Sequence, residues 1–217
     1  MRDALLTAIK DNDGARALEL IAADPSLADA RDASGVSVLM LSRYHGAHDA
    51  TAAIRAARAE LDVFEAAMLG DADRLHDLLH EDPTLLVARS PDDATALHFA
   101  AFFAQPDTAR LLVEHGADVH EVSPTFGNVT ALHSAAAGGS AEIVHLLLDA
   151  GADPNTRQNG GFTALHAAAQ SGDPTMARDL LDHGAELDSA TEDGRTALAI
   201  AEEQGQDEVA ALLRERT

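Results

Sequence analysis

Thr95-Ala96-Leu97-His98, Thr130-Ala131-Leu132-His133, Thr163-Ala164-Leu165-His166 and Thr196-Ala197-Leu198-Ala199 recur at spacings of 35, 33 and 33 residues. In phase with them run Gly116-Ala117-Asp118, Gly151-Ala152-Asp153 and Gly184-Ala185-Glu186. Self-similarity at a fixed period of this length signals stacked supersecondary units, none of which buries its apolar face alone. Between the two motifs lie an alanine-rich segment and a leucine-rich one, such as Ile143-Val144-His145-Leu146-Leu147-Leu148. The threonine suits a helix N-cap, because its hydroxyl accepts one of the orphan N–H groups of the first turn. Gly139, Gly172 and Gly205 interrupt each unit between two helices. Gly116, Gly151 and Gly184 stand where a helix ends in a left-handed residue. Turn-forming segments such as Asn159-Gly160-Gly161 then suit a projecting hairpin.

Composition agrees with closely packed helices. The chain has 217 residues, 46% hydrophobic, of which alanine alone is about a fifth, while aromatics make up only 3%. With no cysteine, disulfides and thiolate metal sites are excluded. No segment reads as a signal peptide and none approaches the length of an apolar membrane span, so a cytoplasmic setting without membrane attachment is expected. The formal charge of −22, from 37 acidic and 15 basic residues, repels nucleic acid and anionic membranes and favours basic partners.

The recurring motifs resemble the ankyrin repeat, whose consensus carries T-P-L-H, A-A, G, V-x-L-L-L and G-A-D in this order. The resemblance is specific from about residue 91 to the C-terminus. Each motif here has alanine in place of the consensus proline, and Asp93 and Asn128 replace the hairpin glycine, both types that tolerate a left-handed backbone. Ser123-Pro124 reads as a two-residue insertion, which accounts for the spacing of 35.

The N-terminal half is more divergent. Asp24-Pro25-Ser26-Leu27-Ala28-Asp29-Ala30-Arg31 is echoed by Asp82-Pro83-Thr84-Leu85-Leu86-Val87-Ala88-Arg89 at an offset of 58, too short for two full repeats. Helix runs into helix around Glu60-Leu61-Asp62, which predicts an absent or rudimentary hairpin there. The reading is an all-α solenoid forming one domain over 1–217. About seven helix-turn-helix repeats with short β-hairpin fingers fall at 1–33, 34–60, 61–90, 91–123, 124–157, 158–190 and 191–217.

The resemblance implies binding on the face formed by the hairpin tips and the inner helices. Carried over position by position, that face takes Tyr44, Met68, Phe102, Phe103, Gln170 and Glu203 from the inner helices, with Phe126, Phe162 and Arg195 from the hairpins. Five of the seven Phe and Tyr residues map there, the composition of an interface hot spot; the bland alternative is that the rings pack on neighbouring fingers. Phe102 and Phe103 precede Ala104-Gln105-Pro106, where the usual turn glycine is missing, so a distorted turn is expected. Glu192, Asp193, Glu202 and Glu203 make the C-terminal end acidic, fitting a partner with an apolar segment followed by basic residues.

No catalytic, cofactor-binding or metal-binding motif is present. His98, His133 and His166 hold the motif position, where the resemblance implies a structural role. His76 and His80 share a helix face at i, i+4 but lack a third ligand. Asp11-Asn12-Asp13-Gly14 lacks the remaining ligands of a calcium loop. The expected function is a monomeric, non-enzymatic protein-binding module or scaffold without cofactor; the alternative is an inhibitor or antitoxin-like regulator that blocks a basic or nucleic-acid-binding enzyme.

Overall fold

The computed structural model describes residues 1–58 and 60–216. Among the described residues, fourteen α-helices and one short two-stranded sheet are present. By packing they divide into two compact units, Met1–Glu65 and Ala66–Thr217. The helices are α1 (Arg2–Lys10), α2 (Gly14–Ala23), α3 (Val38–Tyr44), α4 (His48–Ala57), α5 (Val63–Leu69), α6 (Ala72–Glu81) and α7 (Ala96–Phe102). They continue with α8 (Pro106–Glu114), α9 (Ala131–Ala137), α10 (Ala141–Asp149), α11 (Ala164–Ser171), α12 (Pro174–Asp182), α13 (Ala197–Glu203) and α14 (Asp207–Glu215).

Each short helix is joined to the longer one after it by a tight turn. Every such turn passes through one left-handed residue, in order Asn12, Gly46, Gly70, Ala104, Gly139, Gly172 and Gly205. Ala104 takes φ +53°, and its turn keeps the hydrogen bonds of its neighbours: Ala104 N to Ala101 O at 3.2 Å and Gln105 N to Ala100 O at 2.8 Å. The distortion expected from the missing glycine is therefore absent. An L-residue bears the left-handed cost of about 1–2 kcal/mol instead.

In the first unit, α1 packs on α3 and α2 on α4. The segment Asp24-Pro25 turns into a 3₁₀ helix, Pro25–Asp29, with the Asp24 carboxylate accepting from the Ser26 amide (3.1 Å) and hydroxyl (2.6 Å). Asp82 repeats the device in the second unit, accepting from Thr84 at 3.0 and 2.6 Å ahead of Pro83–Val87. These aspartates end α2 and α6 where glycines end α8, α10 and α12, which is why the two sequence segments echo each other.

Among the described residues no hairpin connects α4 to α5. In its place stands an ion-pair network. Asp62 and Glu65 cap each other reciprocally, Glu65 N–H to Asp62 Oδ1 at 2.9 Å and Asp62 N–H to Glu65 Oε2 at 3.1 Å. The Glu65 side chain is fully buried and meets the Arg58 guanidinium, itself 10% exposed. Arg58 Nε also approaches Asp29 Oδ1 at 3.0 Å, and Arg31 reaches Asp62 Oδ2 at 3.3 Å.

In the second unit the inner helices stack in the order α7, α9, α11, α13, and the outer helices α6, α8, α10, α12, α14 stack behind them. Leu97, Leu132 and Leu165 fill the inner layer; Leu112, Ile143, Leu147, Leu180 and Leu213 fill the layer between. Each such side chain contributes about 1.5–3 kcal/mol of burial. Alanines at 100, 101, 135, 136, 168 and 169, all buried, let the inner helices approach closely. At Gly138 the approach is closest: a β-carbon there would sit 2.4 Å from the Phe102 carbonyl oxygen. Gly138→Ala should therefore cost about 1–3 kcal/mol of stability, measurable by urea denaturation; an unchanged midpoint would show that α7 and α9 can part without loss.

Candidate functional site

The inner helices of the second unit are short, and their N-termini are locked by the recurring motif. The Thr95 amide donates to His98 Nδ1 at 3.3 Å, with the Thr95 hydroxyl 2.8 Å from the same atom. Thr130–His133 and Thr163–His166 repeat this at 3.2 and 3.1 Å from the amides. An amide only donates, so Nδ1 is the acceptor and each neutral ring carries its hydrogen on Nε2. His98 donates that hydrogen to the Val129 carbonyl (3.1 Å) and His166 to the Arg195 carbonyl (3.2 Å), tying each cap to the next finger. His133 Nε2 stands near the Phe162 and Thr156 carbonyls but forms no hydrogen bond of good geometry. Burial pushes all three imidazoles below their ordinary value, opposed by these carbonyls.

The fingers are joined along their length. The finger before α7 is closed by the Ser90 N–H to Ala94 O bond (2.9 Å), and in the one after α8, β1 (Val122–Ser123) pairs antiparallel with β2 (Val129–Thr130). The next two are held by the Gln158 N–H to Phe162 O bond (2.9 Å) and the Ala190–Thr196 bridge. Asp93 (φ +60°) and Asn128 (φ +61°) take the left-handed position at their tips, as Gly161 and Gly194 do. From tip to tip, the Asn159 N–H donates to Gly127 O and the Glu192 N–H to Gly160 O, both at 2.8 Å. Asn128 Nδ2 donates to Asn159 Oδ1 at 2.8 Å, and Arg157 donates to the Ala190 carbonyl. Sequence reasoning did not foresee the contacts that Asn128, Asn159 and Arg157 make between fingers; only Arg157 carried a signal, recurring with Arg31 and Arg89 six residues before the motif serine or threonine.

On this frame Phe102 and Phe126 are the exposed large apolar side chains of the face, at 48% and 47%. Phe103 is half-buried and meets Phe102 edge to face, ring centroids 5.2 Å apart. Phe162 is half-buried against the His166 ring at 5.5 Å. Together with the exposed Gln170 it lines an open depression of about 630 Å³ between α9 and the following finger, whose floor includes Ala136 and Ala137. Arg195 and Glu203 come together at 3.6 Å, and Arg195 also pairs with Asp193 at 2.8 Å. The Thr191 hydroxyl, with help from Arg195, holds the Asp193 carboxyl below the usual carboxylate range.

One expectation changes. Met68 is fully buried and takes no part in a surface: beside the small Ala66 and Ala67 its flexible thioether fills the interior. Arg195 is engaged by its own carboxylate neighbours. Tyr44, half-buried at the end of α3, belongs to the first unit.

His76 and His80 stack at 6.4 Å with His115 edge-on to His76 at 6.1 Å, yet no group among the described residues is arranged to hold a metal ion. Among the same residues no helix is long and apolar enough to cross a membrane. Compared with known families, the chain matches the model described as ankyrin repeats (3 copies), over residues 63–158 and 154–217.

Proposed function

Because this chain belongs to the ankyrin-repeat family, whose repeats are generally protein–protein interaction modules, we propose that it binds a partner protein on the finger and inner-helix face of its second unit. The exposure of Phe102 and Phe126 on a polar, acidic chain is the observation that carries this reading. Large rings held by a rigid frame lose little entropy on binding and are the side chains on which interface energy concentrates. The depression lined by Phe162 and Gln170 offers a seat for an apolar side chain beside them. Glu192, Glu202 and the wider acidic field suit basic residues in the partner and speed its association. On this reading the protein is a monomeric, cytoplasmic scaffold that performs no catalysis and uses no cofactor. Its charge of −22 favours a second reading, in which the partner is a basic or nucleic-acid-binding enzyme that the chain inhibits by covering its site.

A tagged pull-down from the source lysate tests both, comparing the wild type with Phe102→Ala/Phe103→Ala and with Phe126→Ala at low and moderate salt. Loss of an anchor is expected to cost about 2 kcal/mol, roughly thirtyfold in affinity. Steep salt dependence is expected, because the attraction is partly long-range. Equal capture by wild type and all variants would move the site off this face. A captured enzyme whose activity falls on addition of the chain would select the second reading.

A further inference from the structure

Helices α10 and α12 carry on their outward side a four-residue cluster remote in kind from the aromatic face. His145 and Asp149 stand one turn apart on α10; Asp179 lies on α12, and His183 follows its last residue. His183 Nδ1 lies 2.8 Å from the Asp179 backbone carbonyl. A carbonyl only accepts, so Nδ1 carries a hydrogen, and in a neutral ring Nε2 would then hold a bare lone pair. Yet Nε2 faces Asp149 Oδ1 at 3.3 Å. Two acceptors at that separation repel; the contact attracts only when Nε2 is protonated too. His145 makes the same demand, with Nδ1 3.2 Å from Asp179 Oδ2 and Nε2 3.6 Å from Asp149 Oδ2. A neutral ring has one N–H for these two carboxylates, whereas an imidazolium serves both. The two rings meet edge to face at 6.1 Å.

We infer that His183 forms a proton-operated clasp between α10 and α12, closed when its imidazolium form joins the Asp179 carbonyl to the Asp149 carboxylate and released when the ring is neutral, with His145 standing between Asp149 and Asp179 beside it. The surrounding charges leave this role to the imidazoles. From α8, Arg110 is engaged by Glu142 of α10 at 3.0 Å; from α14, Arg216 is engaged by Asp182 of α12 at 2.8 Å and Arg214 by Glu202. Glu114 of α8 adds negative charge to the stack, and Arg178 of α12 forms no ion pair with Asp149 or Asp179 among the described residues. The inner helices α9 and α11 supply only His133 and His166, both buried and pushed towards the neutral form. The Asp179 carbonyl first, then the Asp149 carboxylate, draw the His183 imidazole above its ordinary value. The His183 contact is thus complete below about pH 6.5, the unfolded imidazole value, and is lost as pH rises through the folded one.

The test is a titration of the whole chain from about pH 5 to about pH 9, following imidazole nitrogens by long-range ¹⁵N–¹H correlation. His183 is expected to titrate above the ordinary imidazole value and to leave a neutral ring protonated at Nδ1. Asp149→Asn should move its midpoint downward. Amide exchange in α12, corrected for its intrinsic pH dependence, should be slower at the acid end in the wild type, and that difference should shrink in Asp149→Asn and in Asp179→Asn. A neutral His183 protonated at Nε2, or a midpoint unmoved by Asp149→Asn in a chain of unchanged helicity, would overturn the clasp.

Discussion

Glu65→Ala is expected to destabilise the first unit by about 3–5 kcal/mol, because it leaves the Arg58 guanidinium in a nearly closed site without its main counter-charge. The Glu65 side chain has no exposure and Arg58 only 10%, so water cannot take over for the missing carboxylate. The reciprocal cap with Asp62 is lost in the same step, freeing the Asp62 amide at the start of α5. Against a total stability of 5–15 kcal/mol for an ordinary domain, that is enough to unfold a unit of this size in part of the molecules. Tyr44, the only tyrosine in a chain without tryptophan, lies in this unit, so its fluorescence during urea denaturation reports the loss directly. Replacing both partners by leucine should be far milder than removing Glu65 alone, since an apolar pair leaves no stranded charge. A Glu65→Ala midpoint within about 1 kcal/mol of the wild type would show that the pair is solvated in practice.

Acid should weaken the second unit well before its carboxylates titrate. Burial holds His98, His133 and His166 below the ordinary imidazole value, so each binds a proton more tightly in the unfolded chain than in the folded one. Their stabilisation is complete above about pH 6.5 and declines as pH falls below it, until the lowered folded values are passed. Protonation also forces a hydrogen onto Nδ1, where the threonine amide already donates, so the helix cap is lost with the charge. Three caps in adjacent layers make this the strongest pH dependence expected above the carboxylate range. Urea midpoints at about pH 8 and about pH 5 measure it, and His166→Gln should flatten the decline by its share. A midpoint that does not change between those conditions would mean that the rings are hydrated in the folded state. His183 acts with the opposite sign, so the two histidine sets together place the best stability of this unit near the ordinary imidazole value.

The features legible in the sequence are those decided within a few residues. A threonine three positions before a histidine, a glycine after a leucine ridge and an aspartate before a proline each satisfy local backbone groups. Asp93 and Asn128 were readable as left-handed for the same reason: their short polar side chains tolerate it. Ala104 defeated that logic, because the stack holds its turn in a conformation the residue does not favour. Met68 and Gly138 depend on which neighbour lies opposite, and no periodicity records that. That the described residues after α4 form no hairpin was visible as a shortfall in length, but the buried pair in the region was not: Arg58 and Glu65 look like solvated charges until Asp29, thirty or so residues earlier, is brought beside them. On the candidate face, sequence position named the aromatic residues, while only packing separates the exposed Phe102 and Phe126 from the half-buried Phe103 and Phe162.

The tip-to-tip bonds that join one finger to the next run from backbone to backbone, Asn159 to Gly127 and Glu192 to Gly160. These two bonds use no side-chain atom, unlike the Asn128–Asn159 and Arg157–Ala190 contacts beside them. Tip residues outside those contacts, Phe126 among them, are thereby released from any duty to keep the array in line. Selection can rewrite them one at a time, exchanging one partner preference for another, while the scaffold they project from inherits no debt from the change.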